Sequence, residues 1–371
     1  MKLEVEAALH CAKVLEDYFV NFDRIDDYMR NQKDIQISEL ASFLPGMGIE
    51  EDLFSDFSMH PNDMDIDVIG MDSTRWDDYI RIISSHVTPP SIPGRNAKYA
   101  VIEKNTNKIL GFIRLGSPVI NCKPRNDLLG QAFTKTSVFA KAFNHTTLMG
   151  FTIVPSQPFG FNYLGGKLCA AICCSHKIRE DMNKKYGMNL CMFETTSLYG
   201  SSKTVSQYDG MKPYIRFKGL TDSNFVPMLD GESYKKLKDY IESQTGEPLV
   251  DPSDSSKKLK ATTKTIAMVK VALKGMPELT RFNEVIEKAK GLTEQKRYYI
   301  SHYGFKNFTD VVTGKTDVLI KDDTYDKFEL ENVVKWWKTK ASNRYESLKA
   351  DGRLRSELEV WTSGKEIQII R

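Results

Sequence analysis

The order of hydrophobic periods along this chain predicts an α/β protein of the α+β kind: a central mixed sheet carrying helices, with helical extensions before and after it. Three observations predict it. Two apolar runs flank the polar turn Asn105-Thr106-Asn107-Lys108, which is a hairpin signal. A strand, a glycine-containing turn, a helix and a second strand then follow between Thr147 and Leu198. Both flanks change to helical spacing. With 371 residues, 41% hydrophobic and 11% aromatic, the chain is too rich in core-forming side chains to be disordered.

Each element can be justified in turn. Residues 1–34 read as a helix or helix pair, because Leu3, Val5, Ala8, Cys11, Leu15 and Phe19 recur at helical spacing. Pro45 to Gly70 is acidic, rich in Met and Gly, and reads as irregular. Trp76 to Ile83 suggests a short helix, stopped by Pro89, Pro90 and Pro93. The hairpin follows, then the strand TLMGFTIVP from Thr147. One helix is expected over 164–186, closed by Gly187, before the returning strand NLCMFETTSL. Residues 97–219 are thus expected to form one mixed sheet with that helix packed on it. The seam EPLVDPSDSSKK is linker-like, and two helices are expected at 261–290 and 329–350, with a small hairpin between them. The resulting division is an acidic helical region 1–70, an α/β core 71–245 and a basic, mainly helical region 246–371.

Charge sharpens that division. The net +3 hides −11 over 1–70, +8 over 71–250 and +6 over 251–371. A basic body on an acidic head suits phosphate, nucleic acid or a nucleotide-like cofactor, although solvated lysine faces are the plainer reading. No window reaches eighteen consecutive apolar residues, and the first twenty residues are interrupted by Glu4, Glu6, Glu16 and Asp17, so neither a membrane span nor a secretory signal is expected. The six cysteines form no CxxC pair and no zinc pattern, even with His176 beside Cys173 and Cys174; no metal site is expected, and a reducing cytoplasm is.

The segment 147–219 carries the candidate chemistry. A glycine-rich turn entering a helix presents backbone N–H groups to a pyrophosphate, and Gly160, Gly165 and Gly166 permit close approach while Lys167 adds a cation. Val154 and Pro155, followed by Gln157, Gly160 and Asn162, resemble motif A of the GNAT-fold acyltransferases, with Asn162 standing where that pattern has Gly or Ala. The resemblance implies a GNAT-like sheet, acetyl-coenzyme A or a related acyl donor along 157–167, and an acidic Tyr late in the segment. Over roughly 72–245 the chain also resembles uncharacterised tailed-phage proteins similar to the DruA domain of Druantia defence systems, most specifically in FETTSLYGSS. At the level of fold and pattern it is similar to the Mom-type proteins with which phages modify adenine in their DNA. These resemblances imply a base-modifying enzyme acting on an exocyclic amine of DNA in the host cytoplasm. A non-catalytic phage protein binding DNA or a host factor on the same scaffold is the alternative, and the acidic head supports it as a protein-docking surface.

Particular residues follow. His86, in a polar proline-rich loop, is a candidate general base or a loop cap. Glu194 lies inside an apolar strand, where it faces either solvent or a cleft suited to removing a proton from an amine. Thr195, Thr196, Tyr199, Ser201 and Ser202 form a polar lip at that strand's end, where open α/β sheets bind ligands, with Tyr208 and Asp209 on the next turn. Tyr199 or Tyr208 is the candidate acid. Arg95 and Arg125 are candidate phosphate clamps. Trp336-Trp337 among Lys338, Lys340 and Arg344 reads either as a DNA-binding helix or as an amphipathic helix packed on the core.

Overall fold

The computed structural model describes residues 2–23, 25–38, 48–84, 94–119, 122–131, 138–197, 206–221, 229, 231–251, 257–291 and 296–362. In chain order its elements are α1 (Val5–Phe19), α2 (Ile25–Ser38), α3 (Ile49–Asp52), β1 (Ile66–Gly70), α4 (Ser73–Ile83), β2 (Asn96–Glu103), β3 (Lys108–Gly116), α5 (Lys123–Leu129), α6 (Val138–Thr146), β4 (Thr147–Pro155), α7 (Phe159–Tyr163), α8 (Gly165–Cys173), α9 (His176–Tyr186), β5 (Met192–Thr196) and β6 (Arg216–Leu220). There follow α10 (Gly231–Thr245), α11 (Lys257–Ala272), α12 (Glu278–Lys290), β7 (Arg297–Ser301), α13 (Phe308–Val312) and α14 (Leu330–Ala350). The chain divides into two compact units.

The first unit draws its described residues from 1–35 and 223–294. Its helix α1 buries Ala7, Ala8, Cys11, Ala12, Leu15 and Phe19 and packs on α10, α11 and α12. Small side chains on that stripe let the partner helices approach closely. The ion pair Arg281–Glu16 (3.1 Å) adds to the seam.

The second unit holds a seven-stranded mixed sheet in the order β1-β2-β3-β4-β5-β7-β6. Its pairs are antiparallel except β4–β5, which is parallel. One face meets α8 and α14 through Ile113, Leu115, Ile153, Phe193, Leu168, Ile172 and Trp337. The opposite face meets α4, where Trp76, Tyr79 and Ile80 cover Ala100, Ile102 and Phe112. The hairpin β2–β3 forms as expected, and Glu103 closes its turn by accepting from Thr106 N–H (2.8 Å).

Several elements differ from the sequence expectation. The irregular stretch before Gly70 contains β1, an edge strand whose Ile66 and Val68 are buried. The helix expected at 164–186 is two: α8 ends at Cys173 and Ser175 caps α9, its hydroxyl accepting from Ile178 N–H (3.4 Å) and donating to Ile172 O (2.7 Å). The helix expected at 261–290 likewise breaks between α11 and α12, over a turn that carries Gly275 at positive φ and ends at Pro277. The hairpin expected after Ile300 is absent. Instead β7 inserts between β5 and β6, and the chain then turns into α13, leaving one bridge between Phe305 and Lys321. Among the described residues no helix is long and apolar enough to cross a membrane, and no group of three or more His, Cys, Asp or Glu is placed to hold a metal ion.

Candidate functional site

Strands β4 and β5 run side by side only from Thr147–Met192 to Gly150–Thr195. Beyond Gly150, β4 continues to Pro155 paired with β3. The parallel pairing therefore ends at Gly150–Thr195, one residue before β5 itself stops at Thr196, and this parting falls at the C-terminal ends of the strands, where open sheets bind ligands. Thr195 sits at the parting, its hydroxyl donating to Gly150 O (3.0 Å).

Beside the parting lies the turn 206–210. The Asp209 carboxylate accepts from Ser206 N–H (3.0 Å), the Arg297 guanidinium (3.3 Å) and the Tyr299 hydroxyl (3.1 Å). Lys167, on the first turn of α8, donates to Gln207 O (3.1 Å) and to Asp209 O. Tyr208 is buried against Thr195, and burial raises its phenol above the ordinary value. The structure therefore brings Lys167, Thr195, Tyr208 and Asp209 together. Tyr299 and Arg297, which complete this cluster, escaped the sequence reading. Their signal was the run Arg-Tyr-Tyr-Ile entering an apolar strand.

Glu194 is elsewhere. Successive strand residues point to opposite faces, and Glu194 shares its face with Tyr298 while Thr195 shares the other with Tyr299. The sheet thus separates Glu194 from Tyr208 and Asp209. Glu194 faces neither solvent nor a cleft: it is fully buried, ion-paired to Arg125 (3.0 Å) and hydrogen-bonded by the Tyr298 hydroxyl (2.6 Å). Burial raises its carboxyl above the ordinary 4.5, against the pull of Arg125. Arg125 is correspondingly no phosphate clamp. It donates also to Val119 O (2.8 Å) and stacks over Phe143. Nor does Arg95 reach outward, because its guanidinium ties the end of α6 to β4 through Asn144 O and Thr147 O. His86, Tyr199, Ser201 and Ser202 lie outside the described residues.

The expected phosphate loop is largely occupied by its own chain. The Gln157 amide oxygen accepts from Phe161 N–H (3.1 Å), and a side chain on Gly160 would stand 2.4 Å from the Gln157 amide nitrogen. Asn162 is buried and clamps the Arg355 backbone, donating to its carbonyl (2.8 Å) and accepting from its N–H (3.1 Å). Gly165 is pressed on the Phe159 ring, where a Cβ would approach to 2.5 Å. Gly166 faces only the flexible end of Gln207. A coenzyme pyrophosphate does not fit at Gln157, Gly160 and Asn162 as folded, since their polar atoms and space are taken.

Cations line this corner, with carboxylates among them: Arg355 pairs with Glu359 (2.9 Å) and Arg353 lies 3.8 Å from Asp351. Trp337 is buried and donates to Tyr163 O (2.8 Å), which removes it from any stacking role. Along the exposed flank of α14, Lys340 covers the half-buried Trp336 ring and Arg344 covers Phe161, with Arg355 also over that ring (4.9 and 4.2 Å). Burial and then Lys340 lower the Lys167 ammonium from its ordinary value, while burial and then Arg353 lower Arg344. These like charges stand close enough to repel one another. Lys338 lies on the other flank, donating to Asn62 O (3.0 Å).

Comparison with known proteins bears on the same stretch. No solved structure matches this chain. A protein-family model described as Druantia protein DruA matches residues 64–210, from the start of β1 to the turn that carries Asp209. Over 162 residues the chain is 26% identical to a Druantia protein DruA of Escherichia coli (strain UMEA 4076-1), covering 40% of this chain and 39% of that protein. It therefore spans about two fifths of the relative's length. The part of the chain that builds the parted strands and the α7–α8 corner is similar to the Druantia protein DruA.

Proposed function

We propose that this chain engages nucleic acid as a component of a Druantia-like defence system, laying the phosphate backbone over Lys167, Lys340, Arg344, Arg353 and Arg355. The observation that carries the reading is geometric: Lys340 lies over Trp336, and Arg344 and Arg355 both lie over Phe161, so cations from α14 and the segment after it gather at one corner. Arg355 and Arg353 keep Glu359 (2.9 Å) and Asp351 (3.8 Å) as neighbours, and a polyanion competes with these carboxylates for the same cations. Phosphate contacts carry no base information, so binding is expected to be indifferent to sequence and steeply salt-dependent. Filter binding across a salt series tests this. Reversing Lys338, Lys340 and Arg344 to Glu should weaken binding and flatten the salt slope by roughly 2, since Lys340 and Arg344 are the two of the three on this corner, at about 0.9 per phosphate contact. An unchanged slope in that variant refutes the reading.

A second reading, transfer of an acyl or related group to a DNA base, is favoured by the parting of β4 from β5 beside Lys167, Asp209 and Tyr299. A target base in duplex DNA has to be flipped out to reach such a site. Glu194 takes no part, being locked on the other face. Mass spectrometry of nucleosides from DNA co-expressed with the wild type, Lys167→Ala and Asp209→Asn tests this. A modified nucleoside lost in both variants supports it; ordinary nucleosides throughout refute it.

A further inference from the structure

In the first unit charge is strongly segregated. Residues 257–276, comprising α11 and the turn after it, hold six lysines and no acidic residue. The remainder of 1–35 and 223–294 holds 19 acidic residues against 11 basic ones. Helix α11 buries Ala261, Thr262, Thr265, Ile266, Met268 and Val269. Its other face leaves Lys257, Lys260, Thr263, Lys264, Ala267 and Val271 exposed, and the turn after it continues the row with Lys274. Lys270 reaches Glu287 (3.7 Å) and Lys264 donates to Leu249 O (2.9 Å).

We infer that this exposed face of α11 is a second contact surface for the backbone of duplex nucleic acid. The inference does not rest on the corner around Lys340. From Lys257 to Lys274 the ridge runs about 25 Å at 1.5 Å per residue, the axial length of roughly seven phosphates on one strand. Thr263 and Ala267 at its centre are small, so the helix can lie close to a backbone. The face carries no arginine and no aromatic side chain, the residues on which protein–protein interfaces concentrate their affinity. Lysine binds phosphate as a point charge, without the bidentate geometry of arginine. The acidic remainder of the unit repels the same polyanion and so restricts it to this face.

The test uses the full chain and a duplex of about 30 base pairs, with fluorescence anisotropy between about 50 and 200 mM salt. Two variants are read: Lys257→Gln, Lys260→Gln and Lys274→Gln together, and Ala267→Glu alone. Gln and Glu are both good helix formers, and circular dichroism checks that α11 persists. The triple variant should flatten the slope of log affinity against log salt by about 2–3, and Ala267→Glu should weaken binding several-fold at the lowest salt. Unchanged slope and affinity in both variants overturn the inference. So does wild-type binding of polyglutamate that the triple variant loses while DNA binding persists, because the surface is then made for an acidic protein. Loss of affinity in the α11 variants with none in the Lys338, Lys340 and Arg344 reversal supports this inference and refutes the other site; the opposite pattern overturns this one.

Discussion

The buried pair Arg125–Glu194 gives a sharp test of how the second unit is held together. Arg125→Met keeps a long apolar stem over Phe143 but removes the guanidinium, which donates to Glu194 at 3.0 Å and to Val119 O at 2.8 Å. Glu194 is then left in the core with Tyr298 as its remaining described partner. Breaking a buried pair from one side costs about 3–5 kcal/mol, because the surviving charge is uncompensated. For a unit of this size that corresponds to a melting temperature lower by roughly 6–20 °C. The pH dependence fixes the mechanism. Burial already raises the Glu194 carboxyl, and without Arg125 it rises further. A raised folded value means the unfolded chain releases its proton above about 4.5 while the folded chain keeps it, so stability is present in acid and lost as pH rises. The deficit of Arg125→Met should therefore be small near pH 5 and large near pH 8. Adding Glu194→Leu should recover much of it, since a buried pair exchanged for apolar residues is often tolerated. Urea unfolding at both pH values reads the outcome. A deficit below about 1 kcal/mol, or one independent of pH, refutes the reasoning.

Other expectations follow from the α8 corner and from α9. Gly165→Ala places a methyl 2.5 Å from the Phe159 ring and should destabilise by about 1–3 kcal/mol, whereas Gly166→Ala, facing only the movable end of Gln207, should be close to neutral; paired thermal melts distinguish them. His176 is buried, its ring tilted 32° against Tyr325, and burial lowers its imidazole from 6.5 to about 4. A depressed folded value gives stability that is present above about 6.5 and lost as pH falls toward about 4, so His176→Phe should flatten the acid limb of a stability–pH curve. Ser175→Ala should cost about 1 kcal/mol of stability through loss of the α9 cap, measured by denaturant midpoint.

Local signals carried the fold furthest. The β2–β3 hairpin was legible because its turn residues and alternation are neighbours in sequence, and α1 because its apolar stripe is unbroken. The α8–α9 break was written in Ser175, a capping residue inside an apolar run, but helical spacing on both sides concealed it. β7 was not legible as a central strand, since nothing near Arg297 tells it to enter between β5 and β6. The site divides the same way. Lys167 falls on the first turn of α8 and Tyr208 and Asp209 on the turn 206–210, positions that local signals mark. Glu194 was recognised as unusual, yet its role is set by Arg125 and Tyr298, 69 and 104 residues away. Asn162 stands in the motif-like loop on local pattern alone, whereas its clamp on Arg355 joins residues 193 apart, which no local pattern shows.

The insertion of β7 between β5 and β6 also bears on how the chain is made. When a ribosome has released Thr196, the outer edge of β5 has no partner, and about 100 further residues must be added before Arg297 arrives. At roughly 5–20 residues per second that interval is about 5–20 s. Throughout it an apolar strand edge, carrying Phe193 and Thr195, stands open to pairing with other chains. Expression yield should therefore be sensitive to translation speed across 197–296, and a nascent chain arrested before Arg297 should be the species that chaperones hold.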